Sequence, residues 1–251
     1  MSRNYEVTQQ TATYPQLGLL SSDAGSAVLE VDTPTRHQPA DDAVIAQDEA
    51  YRIVQRLYQS PCDIAPQVVV FAGIDSGSGC SALCVRVAET LADHSSASVC
   101  VIDANLRAPS LDRYFRIENH YGLSNALTTR GEVTKFTRTL DRPNLHLISS
   151  GFEVAAPSRM LDSSILKDRI SELRVTFDYI LIDSPPLNEF PEGTTLGRLS
   201  DGVVLILEAN ATRRETASKA VDNLRAAQVP ILGAIFNKRT FPIPQALYSR
   251  L

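Results

Sequence analysis

"VVVFAGIDSGSGCSALCVRVA", Val68 to Ala88, is the stretch on which the fold turns. A valine-rich run of strand character enters a glycine-punctuated turn, and apolar residues at helical spacing follow. Strand, glycine turn and helix in that order are the layout of a phosphate-binding loop. In such a loop glycines let backbone N–H groups turn onto the phosphates, and the helix start adds its positive end. A lysine then reaches the β and γ phosphates, and the Ser or Thr after it holds Mg²⁺. Here Gly77, Ser78, Gly79 and Ser81 are in place, but the lysine position holds Cys80. Taken alone, Gly-Ser-Gly is also ordinary punctuation between a strand and a helix.

Two later strands weigh against the bland reading. "SVCVIDANLRAP" carries Asp103 at its C-terminal end, and "FDYILIDSPP" carries Asp183 at the same place. A single Asp at a strand end usually forms a turn. Two of them beside a glycine loop, at the sheet edge where α/β folds bind ligands, are placed to hold Mg²⁺ or to position a water or hydroxyl.

From Gln67 onward β-branched runs alternate with helical patterns. This predicts an α/β fold, a doubly wound and mostly parallel sheet with helices on both faces. Strands are expected over 67–72, 98–103, 144–149, 178–183, 202–207 and 231–236. Helices are expected after Gly122, over about 163–175 and before Asp201. "TRRETASKAVDNLRAA" adds another, opening with a capping box from Thr212 to Glu215 and facing Ala217, Ala220, Val221 and Leu224 inward.

Residues 1–45 are polar and broken by Pro15, Pro34 and Pro39, which predicts a disordered or weakly ordered acidic tail ahead of a single domain over 46–251. That domain begins with an amphipathic helix over 47–59, with Tyr51, Val54, Leu57 and Tyr58 on one face. The net charge of −5 is uneven: residues 1–49 hold eight acids and two bases, so the remainder carries +1. A nearly neutral body offers no general pull toward nucleic acid. The longest apolar runs fall far short of the ~20 residues that span a bilayer, and the N-terminus lacks a signal pattern, so a cytoplasmic protein is expected. Cys62, Cys80, Cys84 and Cys100 show no metal-ligand or disulfide spacing; Cys84 and Cys100 read as small core residues.

The series "DEAYR", "GIDSGSGCS", "VCVIDANLRAPSLDRYF", "YGLSNAL", "NLHLISSG", "YILIDSPP", "SDGVVLILEA" and "ILGAIFNK" resembles the cytoplasmic domain of bacterial tyrosine kinases (BY-kinases) of the CpsD/CapB type, over about residues 47–240. These belong to the same P-loop branch as the MinD and ParA ATPases. The resemblance implies ATP-dependent phosphoryl transfer to tyrosine in capsular and exopolysaccharide export. It implies a nucleotide site at Gly77, Ser78, Gly79, Cys80, Ser81 and Asn237, with Asn237 touching adenine. Mg²⁺ would be held by Ser81, Asp103 and Asp183, the two aspartates being the catalytic acids. Glu49 and Arg52, with Arg56 near the third expected position, would join subunits into a ring. The implied cofactor is Mg-ATP or Mg-ADP. The implied partners are a membrane-anchored polysaccharide co-polymerase (chain-length regulator) and a partner kinase or further copies of the chain, with no nucleic acid. The implied location is the inner face of the plasma membrane.

Three parts of that machinery are altered. Cys80 replaces the lysine, Asn105 replaces the second acid of the D-x-D-x-R pattern, and the C-terminal tyrosine cluster is reduced to Tyr248. A thiol cannot supply a cation, and losing one preorganised donor costs about 10²–10³ in rate. The expectation is therefore a pseudokinase or regulatory subunit with weak or absent nucleotide binding. An active autokinase using a substitute cation, with Arg107 and Arg86 nearest in sequence, and a MinD/ParA-like positioning ATPase are the alternatives. Placed at a helix start, the Cys80 thiol is expected to have a lowered pKa, the condition for redox sensitivity, although a small residue tolerated after loss of lysine is the simpler reading.

Overall fold

The computed structural model describes residues 39–59 and 65–238. Its first element is helix α1 (Pro39–Tyr58), which starts earlier than residue 47 and takes in the last residues of the expected tail. The rest of that tail, together with Cys62 and Tyr248, lies outside the described residues. Ala50, Ile53, Val54, Leu57 and Tyr58 are buried on the inner face of α1. Their i, i+3, i+4, i+7, i+8 spacing is what an amphipathic helix requires. Tyr51, expected on that face, is exposed and instead meets the ring of His94 at 4.8 Å.

The chain then lays down β1 (Val68–Gly73), α2 (Cys80–His94), β2 (Val99–Asp103), α3 (Leu111–Tyr114), α4 (Leu123–Thr128), β3 (Arg138–Thr139) and β4 (Leu145–Ile148). It continues through α5 (Pro157–Leu161), α6 (Ser164–Thr176), β5 (Tyr179–Ser184), α7 (Glu192–Gly197), β6 (Gly202–Glu208), α8 (Arg214–Ala226) and β7 (Ile231–Asn237). The strands form one sheet in the order β3-β4-β2-β5-β1-β6-β7, parallel throughout except for the antiparallel edge pair β3 and β4. All six expected strands are present; β3 is the addition.

Because side chains alternate across a strand, the apolar runs divide into two cores. Val68, Val70, Ala72, Ile102, Ile180, Ile182, Val203 and Leu205 face α4, α6, α7 and α8. Val69, Phe71, Val99, Val101, Leu181, Val204 and Ile206 face α1 and α2. Every residue of β1 and β2 is buried, as expected for inner strands covered on both sides. Cys84 and Cys100 are buried in these cores as small apolar residues.

Two local features have clear causes. α6 is capped by Ser163, whose side chain accepts from the Leu166 N–H. α8 is not capped by Thr212: its flanking residue is Arg213 with no side-chain cap, and the Thr212 hydroxyl accepts from the Glu208 N–H at 3.0 Å. The expected capping box gives way to a turn that closes the end of β6. Ala220 and Leu224 of α8 are buried, and Ala217 and Val221 pack against the same core.

The glycine of "YGLSNAL" is required by close approach rather than by its dihedral angles. A Cβ on Gly122 would lie 2.0 Å from the Ser149 carbonyl oxygen and 2.6 Å from the Gly151 nitrogen. Both obstacles are backbone, so neither can turn aside. Gly122→Ala is expected to cost ~3 kcal/mol, read as a fall of several degrees in the thermal midpoint by calorimetry; an unchanged midpoint would refute this account.

Candidate functional site

The loop leaves β1 at its C-terminal edge and returns as α2. Gly77 and Gly79 both sit at φ +82°, the left-handed region that glycine enters without penalty. Gly79 is needed twice, since a Cβ there would also meet the Asn237 amide nitrogen at 2.4 Å. The first turn of α2 is closed by the Leu83 N–H to the Gly79 carbonyl at 3.1 Å. The N–H groups of Cys80, Ser81 and Ala82 precede that bond and stand at the positive end of the helix, where anions are favoured. No side chain caps this end.

The loop is clasped on both flanks. After β5, the Leu187 and Asn188 N–H groups donate to the Gly73 and Ile74 carbonyls at 2.9 and 3.2 Å. The Asn188 amide donates to Asp75 at 2.8 Å, and Glu189 accepts from the Ser76 N–H at 3.2 Å. After β7, the Asn237 amide donates to the Ser78 carbonyl at 2.8 Å and the Lys238 ammonium to the Gly77 carbonyl at 2.5 Å. Asn237 thus braces the loop with the side chain expected to reach adenine. Asn188, Glu189 and Lys238 were not singled out by the sequence, in which nothing marks a residue more than a hundred positions away as a loop contact.

Asp103 and Asp183 are paired neighbours in the β2/β5 register, and both are fully buried. Asp103 accepts from the Asn105, Ser110 and Leu111 N–H groups at 3.0–3.2 Å. Burial nevertheless lifts it to about 6. Asp183 receives no well-formed hydrogen bond from the described residues. Burial first, and then the Asp103 charge, raises it to about 8, against a smaller opposing pull from the Ser81 hydroxyl and the Cys80 thiol facing it. Protons on such a pair belong to both carboxyls together. The Asp183 carboxyl, buried without a well-formed hydrogen bond, and the Ser81 hydroxyl facing it offer oxygen ligands of the kind a small hard cation takes, while the N–H groups at the start of α2 suit an anion.

Cys80 is partly exposed as a residue, but its thiol is turned inward against Asp183. Burial and then the Asp183 charge push the thiol well above its ordinary range. The expected lowering by the helix start is overturned, because desolvation and a neighbouring carboxylate outweigh the helix end. The thiol stays neutral and is not activated.

The candidate substitute cations fall away. Arg107 is bound to buried Glu192 at 2.7 Å and to Ser158, and it lies 4.1 Å above the ring of Phe190. Arg86 is exposed on α2. Asn105 keeps a turn role, its side chain accepting from the Ala108 N–H at 3.2 Å, but it brings no charge. Of the expected ring residues, Arg52 and Arg56 are exposed, whereas Glu49 is buried within its own chain.

Strand, glycine loop, helix and two strand-end aspartates on a doubly wound parallel sheet define a P-loop NTPase of the MinD/ParA type. The ATPase MipZ family model matches residues 67–222, and the chain belongs to this group of ATPases, in its bacterial tyrosine-protein kinase branch. It is 31% identical to CapB of Staphylococcus aureus over 166 residues, covering 65% of this chain and 71% of the relative. It is 27% identical to tyrosine-protein kinase YwqD of Bacillus subtilis over 190 residues, covering 75% and 80%. The kinase domain of the Escherichia coli tyrosine kinase Etk has the same fold, with a TM-score of 0.71 at 20% identity over 81% of this chain and 78% of that one.

Proposed function

We propose that this protein is a degenerate BY-kinase of capsular or exopolysaccharide export that works by binding rather than by phosphoryl transfer. Weakly held Mg-ATP or Mg-ADP acts as a structural switch, and the protein docks on a membrane-anchored chain-length regulator, alone or with a partner kinase. Among the described residues no helix is long and apolar enough to cross a membrane, so on this reading the membrane is reached through that partner.

The observation that carries the reading is the Cys80 thiol. It is neutral and turned toward Asp183 at the position where a phosphate-binding loop carries its cation. Phosphoryl transfer depends on positioning and on stabilising charge, and this position contributes none. Binding is a separate matter. The backbone N–H groups of Gly79–Ser81 would cradle the phosphates, and Ser81 and Asp183 would hold Mg²⁺ with Asp103 behind them. Mg²⁺, when bound, supplies charge to the phosphate oxygens. Among the described residues no cluster of three or more His, Cys, Asp or Glu side chains forms a self-sufficient metal cage. Mg²⁺ fits such an arrangement because it is usually held by one or two protein groups together with phosphate and water.

The test is calorimetric titration with Mg-ATP and Mg-ADP, with radiolabelled phosphate transfer followed on the same sample. The expected result is saturable binding, about 10- to 100-fold weaker than a lysine-bearing loop would give, without label on the protein. Autophosphorylation would favour an active tyrosine kinase instead. Absence of binding would leave a purely structural subunit.

A further inference from the structure

Among the described residues, Lys238 is the basic side chain that reaches the glycine loop. It follows the last residue of β7 with φ +58°, a left-handed conformation that costs a non-glycine residue free energy. Its own N–H is held by the Asn237 side-chain oxygen at 3.0 Å. The ammonium lies on the Gly77 carbonyl and 3.3 Å from Glu208 at the end of β6. Two successive side chains, Asn237 and Lys238, therefore donate to two successive loop carbonyls, Ser78 and Gly77. Carbonyl and N–H point in opposite directions across a planar peptide. Of the linked N–H groups, that of Ser78 closes the loop's own turn on the Asp75 carbonyl at 3.4 Å, so Lys238 fixes this turn. Tying the Ser78 carbonyl to the β7 side turns the Gly79 N–H to the other face of the loop. With Cys80 neutral, this ammonium is the positively charged group bonded to the loop, and Glu208 partly offsets its charge from the β6 side.

We propose that Lys238 is the loop's replacement cation for binding. It sets phosphate affinity from the β7 flank, by its charge and by holding the Gly77 peptide, in place of a lysine at position 80. This rests on the reading of the loop as a nucleotide site. It also accounts for binding without efficient transfer, since a charge fixed on the outer flank is bonded to protein carbonyl and carboxylate rather than free to follow a moving phosphoryl group. Lys238 is a positioning residue in this account, acting through the loop.

The test measures affinity for Mg-ADP and for inorganic pyrophosphate at two salt concentrations in the wild type, Lys238→Met, Lys238→Arg, and Lys238→Met combined with Cys80→Lys. Lys238→Met is expected to weaken binding about tenfold and to flatten its salt dependence. Lys238→Arg should retain most of the affinity, and Cys80→Lys should restore what Lys238→Met loses. Thermal midpoints taken alongside separate a charge effect from a loosened fold. Unchanged affinity in Lys238→Met, or a loss that Cys80→Lys does not recover, would overturn the proposal while leaving the nucleotide site standing. If the wild type binds neither probe, the nucleotide-site reading falls first and this proposal with it.

Discussion

Cys80→Lys is expected to tighten Mg-ATP binding about 10- to 100-fold, the worth of one charge-assisted hydrogen bond of ~1.5–3 kcal/mol. The new side chain starts at the first position of α2, between the loop and the Asp183 carboxyl that the thiol now faces. Its ammonium would gain phosphate oxygens in the bound state and the Asp103/Asp183 pair in the free state. The second effect lowers both carboxyl pKa values and partly offsets the gain, because some of the attraction is already present before nucleotide arrives. With Lys238 intact the gain lies toward the lower end of the range; in Lys238→Met it is larger. Phosphate transfer should stay low, since Asn105 is still uncharged. Adding Asn105→Asp is expected to bring turnover to a measurable level, because both altered positions lie beside the transferred group in this reading and act together. Calorimetry gives the affinity and radiolabelled ATP the turnover. If Cys80→Lys gains no affinity, the loop is not a disabled phosphate site and the binding function proposed for it fails.

The sheet was legible because its strands are short, β-branched and continuous. Burial on both faces leaves runs such as "VVVFAG" and "VVLILEA" that have no helical alternative of that length. β3 was not legible: Arg138 and Thr139 are both exposed, and two residues carry no period. The cap of α8 was misread because Thr212 has two uses for its hydroxyl, and tertiary structure chose the end of β6 over the start of the helix. On α1 the buried stripe is one residue off the expected one, with Ala50 and Ile53 inside and Tyr51 outside, because a large aromatic at the margin of an apolar face can pack on the surface, as Tyr51 does against His94. The loop itself could be read from sequence, and its braces could not. Asn188 meets Asp75 across 113 residues and Lys238 meets Gly77 across 161, so only the folded sheet brings those strand ends together. The error over the Cys80 thiol has the same origin: the helix start is local and visible, but Asp183 arrives from β5.

Asp183→Asn is expected to stabilise the nucleotide-free protein at pH 8 and to flatten its stability between pH 5 and 8. Asp103 and Asp183 both have folded pKa values, about 6 and about 8, above the ~4 of an unfolded carboxyl. The folded state therefore keeps protons that the unfolded chain has released. Their contribution is fully present below about pH 4 and is lost as pH rises through the folded values. Asp178 and Asp201 act in the opposite sense. The Ser98 N–H and hydroxyl lower Asp178; for Asp201 burial is outweighed by Arg174 and the Val68 and Gln67 N–H groups, which leave it lowered as well. Their stabilisation is present above the unfolded pKa and lost as pH falls through their own values, so for these four groups the two effects balance close to pH 4, and the wild type should lose stability steadily from there to pH 8. Asparagine matches the shape of the protonated acid without the ionised form, and it removes the cost of burying that charge. The expected gain at pH 8 is on the order of 2 kcal/mol, or about 4–8 °C in thermal midpoint, with little change at pH 5. The same substitution should abolish the Mg²⁺ dependence of nucleotide binding, since the lost charge is the one proposed to hold the ion. A variant whose midpoint follows pH in parallel with the wild type would show that the carboxyl pair is not titrating in this range. A variant that still binds nucleotide with full Mg²⁺ dependence would remove Asp183 from the metal site.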